Sequence, residues 1–331
     1  MRRRSSVNSI LTFPANHVAL GKRQQHRVDA RVAVGALDEL ALQARRGDVI
    51  DHQPAAGHQA RHDELINFGV VLRRLDVGEA KRQRFRLIRK VEGVAVVDLN
   101  ASASQAVADT LTKSGYNALA VPTDITQPDS VNAMVEKVLS TFGRLDILVN
   151  SAALDPKFDP DAVKKGITPG AFEDYPLEQW NAALNVNLTG MFLITQACVK
   201  PMLAQGKKGS IINICSTYGL NGPDQRIYIK DGERVAFKPV YYTVTKAGVM
   251  GFTKYLAAYY AGTDIRVNAL TPGGVFNNHE DYFVKNYSAK TIIGRMAKKD
   301  EMNGALLFLA SDASSYMTGN NVVVDGGWTA W

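Results

Sequence analysis

A tyrosine and a lysine stand four residues apart, as Tyr242 and Lys246, at the start of a segment that is predicted to form a long helix. Residues at this spacing lie on one face of a helix, so the lysine ammonium and the tyrosine hydroxyl can reach the same small volume. A cation beside a phenol favours the phenolate, so we expect the pKa of Tyr242 to fall from its ordinary value of about 10. The pair could therefore act as a general acid–base, although the same spacing also occurs by chance on helix surfaces.

Strands that alternate with helices surround this pair from residue 93 onward. The alternation predicts βαβ units, and hence an α/β fold in which a Rossmann-like, doubly wound parallel sheet lies between two helix layers. The predicted strands cover 93–98, 116–121, 145–150, 209–216, 265–270 and 321–325. The predicted helices cover 101–114, 130–141, 177–205, 242–261 and 302–310.

Charge and composition divide the chain near residue 92. Residues 1–92 carry 18 Lys and Arg against 10 Asp and Glu, a balance of +8, whereas residues 93–331 carry 21 against 22, a balance of −1. Of the 20 arginines, 15 precede residue 93, but only 3 of the 19 lysines do. We therefore predict an atypical, largely irregular basic segment over 1–92 and a Rossmann-like domain over 93–331.

Several classes of protein are disfavoured by composition. The two cysteines, Cys198 and Cys215, indicate no disulfide framework and fit a reducing, cytoplasmic compartment. No apolar run approaches the ~20 residues of a membrane span. The arginines of residues 1–92 lack a DNA-binding motif or an aromatic platform, and the histidines there lack a ligand spacing, so we expect no nucleic-acid partner and no metal.

Six short motifs follow one another along residues 93–331. They are Asn150-Ser151-Ala152-Ala153, Asn187 within Val-Asn-Leu-Thr-Gly, Ser216 three residues before Gly219, Tyr242-x-x-x-Lys246, Pro272-Gly273, and Val324-Asp325-Gly326-Gly327. In order and approximate spacing they resemble the short-chain dehydrogenase/reductases. Within that family, the two insertions described below and the polar pocket that they would form look most like those of the members of flagellin-modification and related sugar pathways.

The resemblance implies an NAD(P)-dependent oxidoreductase that moves hydride between nicotinamide and a small carbonyl or alcohol, with a sugar or sugar nucleotide as candidate substrate. Tyr242 would be the acid–base, Lys246 would favour its phenolate and hold the cofactor ribose, and Ser216 would bind the reacting oxygen. Asn187 would anchor a proton-relay water. Taken singly, Ser216 could be a helix cap and Asn187 a buried structural amide. The family also implies a homodimer or homotetramer.

Cofactor choice depends on Asp98, at the end of a predicted strand where such folds place an acid that bonds the ribose 2′-hydroxyl. A carboxylate there repels a 2′-phosphate and so favours NAD over NADP, although Asp98 could also be a turn residue. The other residues expected at the cofactor are Asp124 beside the adenine, Asn150, Ala152, Tyr242, Lys246, Pro272, Gly273 and Val275.

The family's first strand and its glycine-rich turn, Thr-Gly-x-x-x-Gly-x-Gly, have no counterpart before residue 93. Residues 65–92 contain only Gly69 and Gly78, although Gly69 to Leu72 could form a short strand. We therefore expect two open edges in the sheet and weak or absent NAD binding. The alternative function is a cofactor-binding-deficient relative without enzymatic activity. We hypothesise that residues 1–92 replace the authentic N-terminus.

Two insertions, 154–175 and 220–238, are predicted to roof the active site. Together with residues after the Pro-Gly turn they would give a polar pocket, although they could equally be subunit contacts or solvated loops. The charged residues expected there are Asp224, Arg226, Lys230, Arg234 and His279.

Overall fold

The computed structural model describes residues 69–73, 92–155, 169–206 and 208–331. Its strands are β1 (Gly69–Arg73), β2 (Gly93–Asp98), β3 (Ala118–Pro122), β4 (Ile147–Asn150), β5 (Gly209–Ile214), β6 (Ile229–Lys230), β7 (Glu233–Arg234), β8 (Ile265–Pro272) and β9 (Asn321–Val324). Its helices are α1 (Ala101–Lys113), α2 (Pro128–Phe142), α3 (Leu177–Leu184), α4 (Met191–Ala204), α5 (Val240–Tyr259), α6 (Asp281–Ser288) and α7 (Asn303–Ala310).

Seven of these strands form one sheet, in the order β3-β2-β1-β4-β5-β8-β9. The pairs β2–β3, β4–β5, β5–β8 and β8–β9 are parallel, but β1 runs antiparallel to both of its neighbours. The expected parallel arrangement therefore holds for every strand of this sheet except β1, an interior strand that is third in this order. The expectation of two open edges is wrong, because the backbone of β1 pairs with β2 on one side and β4 on the other.

Helices cover both faces of the sheet, which confirms the three-layer α/β architecture. On one face the apolar side chains of α2, α4 and α5 pack against the strands in a single buried cluster. On the other face α1 and α7 contribute a second cluster. The strands β2 and β4 supply residues to both clusters, which explains their continuous apolar sequences.

The helical segments α3 and α4 are joined by a π-helical turn, Asn185–Gly190, into one apolar helix of 28 residues that is long enough to cross a membrane. Half of its most apolar window is buried, and Ile194, Cys198 and Met202 lie in the core beneath the sheet. It is therefore a core helix. A π-turn is uncommon and is often found at functional positions, and this one contains Asn187.

The sequence pattern did not predict the hairpin β6–β7 or the helix α6. The hairpin lies within the insertion 220–238, and α6 follows the Pro-Gly turn. Both pack on an aromatic cluster that includes Tyr218, Tyr228 and Trp328, so they are ordered by tertiary contacts. The part of the first insertion that covers 156–168 lies outside the described residues.

Candidate active site

Predicted site residues from four strand ends lie at the carboxyl edge of the parallel strands. Asp98 ends β2, Asn150 ends β4, Ser216 follows β5, and Pro272 ends β8. Neighbouring parallel strands end at the same edge, and the pairing of Asn150 with Asn213 and of β5 with β8 keeps them in register. This is the edge at which doubly wound sheets bind ligands.

Four of the predicted cofactor residues line one cleft at this edge: Asp98, Asp124, Asn150 and Ala152. Asp98 is 3% exposed and accepts a 2.7 Å hydrogen bond from the backbone of Asn100, which in turn caps α1. Asp124 accepts bonds from the backbone and hydroxyl of Thr126. The cleft thus has a carboxylate on each of two adjacent strand ends.

The side chain of Asn150, which lines the cleft, connects β4 to α4 and to β5. Its amide nitrogen donates to the hydroxyl of Thr195 at 2.9 Å and to the side-chain oxygen of Asn213 at 2.8 Å. Its own side-chain oxygen is buried without a hydrogen-bond partner among the described residues. A buried acceptor in this state is costly, so the cleft has a position for a donor group.

The serine and the tyrosine of the predicted catalytic group lie in contact. Ser216 caps the short helical turn after β5 by accepting a bond from the backbone of Tyr218 at 3.2 Å, and its hydroxyl also hydrogen-bonds Tyr242 on α5. Gly219 ends this turn, where a β-carbon would lie 2.6 Å from the backbone oxygen of Lys246. A glycine is therefore needed there for the turn to approach α5. Ser216 combines its capping function with a position beside the tyrosine.

The expectation that the pKa of Tyr242 is lowered is wrong for the protein without a ligand. Burial raises this pKa well above 10.0, the charge of Asp155 raises it further, and the hydrogen bond with Ser216 opposes the increase. Lys246 lies 5.8 Å from the centre of the tyrosine ring, and its ammonium donates to the backbone oxygen of Ile214 at 3.0 Å. Burial also lowers the pKa of Lys246.

Asn187 is fixed by three hydrogen bonds from its side chain. Its oxygen accepts from the backbone nitrogen of Leu154 at 2.6 Å, and its nitrogen donates to the backbone oxygen of Leu154 at 3.2 Å and to the hydroxyl of Thr245 at 3.1 Å. The side-chain amide thus joins the loop after β4 to α5. These contacts fit the alternative that Asn187 is a buried structural amide. A role of Asn187 in proton relay stays a prediction.

The Pro-Gly turn lies at the end of β8 as predicted. The backbone nitrogen of Gly273 donates to the oxygen of Val324, and a β-carbon on Gly273 would lie 2.7 Å from the α-carbon of Asp325. Val275 forms an isolated parallel bridge with Ala297. Pro272, Gly273 and Val275 therefore share the carboxyl edge with the other predicted residues, although they do not line the cleft of Asp98.

A second lysine near the tyrosine was missed in the sequence. The ammonium of Lys238 lies 3.8 Å from the centre of the Tyr242 ring and 2.5 Å from a carboxylate oxygen of Asp155. A signal was present, because Lys238 precedes Tyr242 by four residues just as Lys246 follows it by four. Lys238 was overlooked because the predicted helix begins only at residue 242, and Lys238 precedes Pro239, the N-cap of α5.

Three of the five charged residues predicted to roof the pocket, Asp224, Arg226 and Lys230, form ion pairs. Asp224 bonds both Arg226 and Lys290, and Lys230 bonds Glu280 at 2.6 Å. Arg234 donates to the backbone oxygen of Gln225 and stacks on Phe237, and His279 stacks on Phe283. Most of the expected charges of this pocket are therefore neutralised within the roof. Among the residues that the structure describes, no group of three metal-ligating side chains is found.

Comparison with known proteins supports the predicted family. Residues 90–329 match the family described as Enoyl-(Acyl carrier protein) reductase. A 3-alpha-(or 20-beta)-hydroxysteroid dehydrogenase of Mycobacterium tuberculosis is 40% identical over 207 residues, which is 62% of this chain and 69% of that protein.

Solved structures are also similar to the chain. A short-chain dehydrogenase of Leptospira borgpetersenii with bound NAD+ has a TM-score of 0.59 and 33% identity, and the match covers 72% of this chain and 92% of that one. A gluconate 5-dehydrogenase of Burkholderia cenocepacia in complex with NADP and tartrate has a TM-score of 0.60 and 28% identity, and the match covers 72% and 85%. The family match, over residues 90–329, begins close to residue 93.

Proposed function

Because the chain belongs to the short-chain dehydrogenase/reductase family, we propose that it moves hydride between a nicotinamide cofactor and a small carbonyl or alcohol, with Tyr242 as the acid–base. The observation that carries this proposal is the convergence of Ser216, just after β5, with Tyr242 on α5 and the buried Lys246, whose ammonium lies 5.8 Å from the centre of the Tyr242 ring. A bound nicotinamide supplies or accepts the hydride. This constellation and the family favour an active enzyme over the cofactor-deficient alternative.

Each residue of the constellation has a distinct task. In reduction, Tyr242 donates its phenolic proton to the substrate oxygen, and in oxidation its phenolate accepts that proton. The Ser216 hydroxyl orients the same oxygen, since it already lies within hydrogen-bond reach of Tyr242. The nearby Lys246 ammonium favours the phenolate as the buried ring ionises.

The residues at the two ends of the predicted cofactor site fit a dinucleotide. Asp98 and Asp124 line the cleft at the strand ends, where carboxylates suit an adenosine, and Ala152 leaves room on the opposite wall. The orphaned oxygen of Asn150 is an acceptor that a bound group or a neighbouring backbone could satisfy. Lys246 would hold the ribose of the nicotinamide. A carboxylate at Asp98 supports NAD over NADP, because it would repel a 2′-phosphate.

The residues for the pyrophosphate fit less well. In this fold the pyrophosphate lies at a helix N-terminus that follows the first strand at the carboxyl edge. Here β1 is antiparallel, and its last residue, Arg73, pairs with Gly93 at the amino edge. The last residue of β1 and the first residue of β2 therefore both lie at the edge opposite Asp98. We expect an affinity for NADH that is weaker than micromolar.

The substrate is proposed to be a polar sugar or sugar derivative. The charged insertion between β5 and α5 supports this, and so does the similarity to the gluconate 5-dehydrogenase. We further propose that the protein is a homodimer or homotetramer, as membership of the family implies. We also propose a cytoplasmic location, because the buried Cys198 and Cys215 are free thiols, which fits a reducing compartment.

Titration of NADH and NADPH fluorescence with the full chain tests the cofactor assignment. Wild-type protein should bind NADH at least about tenfold more tightly than NADPH, and Asp98→Asn should reduce that preference. Asp109→Asn, on the exposed face of α1, is the matched control and should keep the preference. Equal affinity of wild-type protein for both cofactors would contradict the assignment of Asp98, and micromolar binding of NADH would contradict the expected effect of β1.

A further inference from the structure

Lys238 is an unusual lysine, because its side chain is only 11% exposed. Its ammonium lies over the ring of the proposed acid–base Tyr242 and pairs with Asp155, whose side chain is 61% exposed. In the ion pair between Lys230 and Glu280, by contrast, the lysine is 45% exposed. In the ion pair between Lys238 and Asp155, the lysine side chain is therefore largely shielded from solvent, whereas the carboxylate is largely in contact with solvent.

The backbone of each partner is held by a side-chain amide. Gln225 accepts from the backbone nitrogen of Lys238 at 2.9 Å and donates to its backbone oxygen at 3.1 Å. Asn187 forms the equivalent pair of bonds with Leu154, the residue before Asp155. The backbone of Lys238 is therefore held at both its nitrogen and its oxygen two residues before α5 begins, which restricts the freedom of its ammonium to leave the tyrosine ring.

The burial of Lys238 and the exposure of Asp155 determine which member of this ion pair a substrate group can replace. Removing the ammonium of Lys238 into solvent would expose a buried side chain and break the contact with the Tyr242 ring. Removing the carboxylate of Asp155 costs little, since most of it already contacts solvent and exposed ion pairs are weak. A substrate that enters beside Tyr242 can thus replace Asp155 but not Lys238.

We propose that Lys238 anchors a carboxylate of the substrate, so that the enzyme selects hydroxy acids and keto acids over the corresponding neutral compounds. This inference rests on the proposed function of Tyr242, and it names the substrate class of the same site. The position beside the acid–base places the anion within a few bonds of the reacting carbon. A carboxylate is the group that the ammonium already binds in the free protein, with Asp155 as the internal substitute.

The exchange leaves the charge around the tyrosine unchanged. Asp155 contributes a negative charge near Tyr242 in the free protein, and the substrate carboxylate takes its place when Asp155 moves into solvent. The ammonium of Lys238 stays paired throughout, so no buried charge is left alone. A neutral substrate gains no such contact, because Asp155 keeps the ammonium.

Calorimetric binding of three matched pairs tests the proposal, each pair being an acid and the alcohol that replaces its carboxylate by a hydroxymethyl group. The probes are D-gluconate with D-glucitol, L-threonate with L-threitol, and (R)-3-hydroxybutyrate with (R)-1,3-butanediol, each with and without NADH. In at least one pair the wild-type protein should bind the acid about tenfold more tightly, the factor expected for one charge-assisted hydrogen bond. Lys238→Met should abolish this preference.

Two further variants separate anchoring from a structural role. Asp155→Asn removes the competing carboxylate and should tighten binding of the acid about threefold, whereas a merely structural ion pair would give no gain. Lys208→Met removes a lysine paired with Asp312 at the amino edge and should leave the preference intact. Thermal unfolding of each variant checks that it is folded.

The outcomes distinguish this inference from the proposed function. If no pair shows an acid preference in wild-type protein, or if Lys238→Met keeps the preference, the anchor is refuted. If the acids bind preferentially but no NADH is produced or consumed, the anchor stands and the proposed reaction fails. Turnover of neutral substrates alone supports the reaction and refutes the anchor.

Discussion

Replacing Asn187 by alanine should destabilise the protein by about 3 kcal/mol. The side chain forms three hydrogen bonds, two with Leu154 and one with Thr245, and Asn187 is 4% exposed. A net contribution of about 1 kcal/mol for each bond gives this sum, and the partly buried backbone groups of Leu154 lose their partners in the variant. The matched control is Asn185→Ala, an exposed asparagine two residues earlier in the same π-turn, for which we expect a change of no more than about 0.5 kcal/mol.

Urea unfolding followed by tryptophan fluorescence measures both free energies. The midpoint for Asn187→Ala should fall while the slope stays constant, because the amount of surface exposed on unfolding is nearly unchanged. A loss below about 1 kcal/mol, or one equal to that of Asn185→Ala, would show that the contacts of Asn187 with Leu154 do not hold the loop and α5 together. The same result would weaken the case that Asp155 is held near Lys238.

Three other changes have defined outcomes. Tyr242→Phe should lower kcat in an NADH absorbance assay by about 10²–10⁴-fold while NADH affinity stays the same, since only the proton donor is lost; unchanged turnover would refute its role. Arg266→Met should cost about 3 kcal/mol in urea unfolding, because its guanidinium donates to the backbone oxygen of Leu309 and to further acceptors under β8; a loss under about 1 kcal/mol would count against that network. Hydrogen bonds from Arg226 hold the pKa of Asp224 below its ordinary value. The Asp224 carboxylate therefore contributes fully to the free energy of unfolding above the unfolded-state pKa near 4, and this contribution is lost as the pH falls toward the lower pKa of the folded state. Asp224→Asn should thus be less stable by on the order of 1 kcal/mol in urea at neutral pH, with a gap that narrows below pH ~4; a gap independent of pH would contradict this sign.

The parallel part of the fold was predictable because its signals are local. Most strands of the large sheet, such as β2 and β4, contain a short apolar run, and residues such as Asp98 follow such a run directly. Once the strands are parallel, their ends must meet at one edge. The match of the family over residues 90–329 confirms the family that the motifs indicated.

Two features could not be predicted because they depend on directions that spacing does not give. The spacing of Tyr242 and Lys246 indicates proximity, but the ammonium turns toward the oxygen of Ile214, and burial dominates the pKa of the tyrosine. The position of Lys238 depends on Gln225, which fixes the loop from the other end of the insertion. Neither contact leaves a periodic signal in the sequence.

β1 meets only one of two requirements that the corresponding strand of this fold usually meets together. Closing the sheet requires only backbone donors and acceptors on both edges, and β1 provides them in the antiparallel direction, with Val70 and Leu72 paired to β2 and β4 alike. Holding a pyrophosphate requires in addition that the strand ends at the carboxyl edge and leads into a helix there. An antiparallel strand can satisfy the first requirement but not the second. The stability of the sheet and the affinity for the dinucleotide should therefore respond independently to changes in residues 69–73, whereas the constellation around Tyr242, built on β5 and α5, depends on neither.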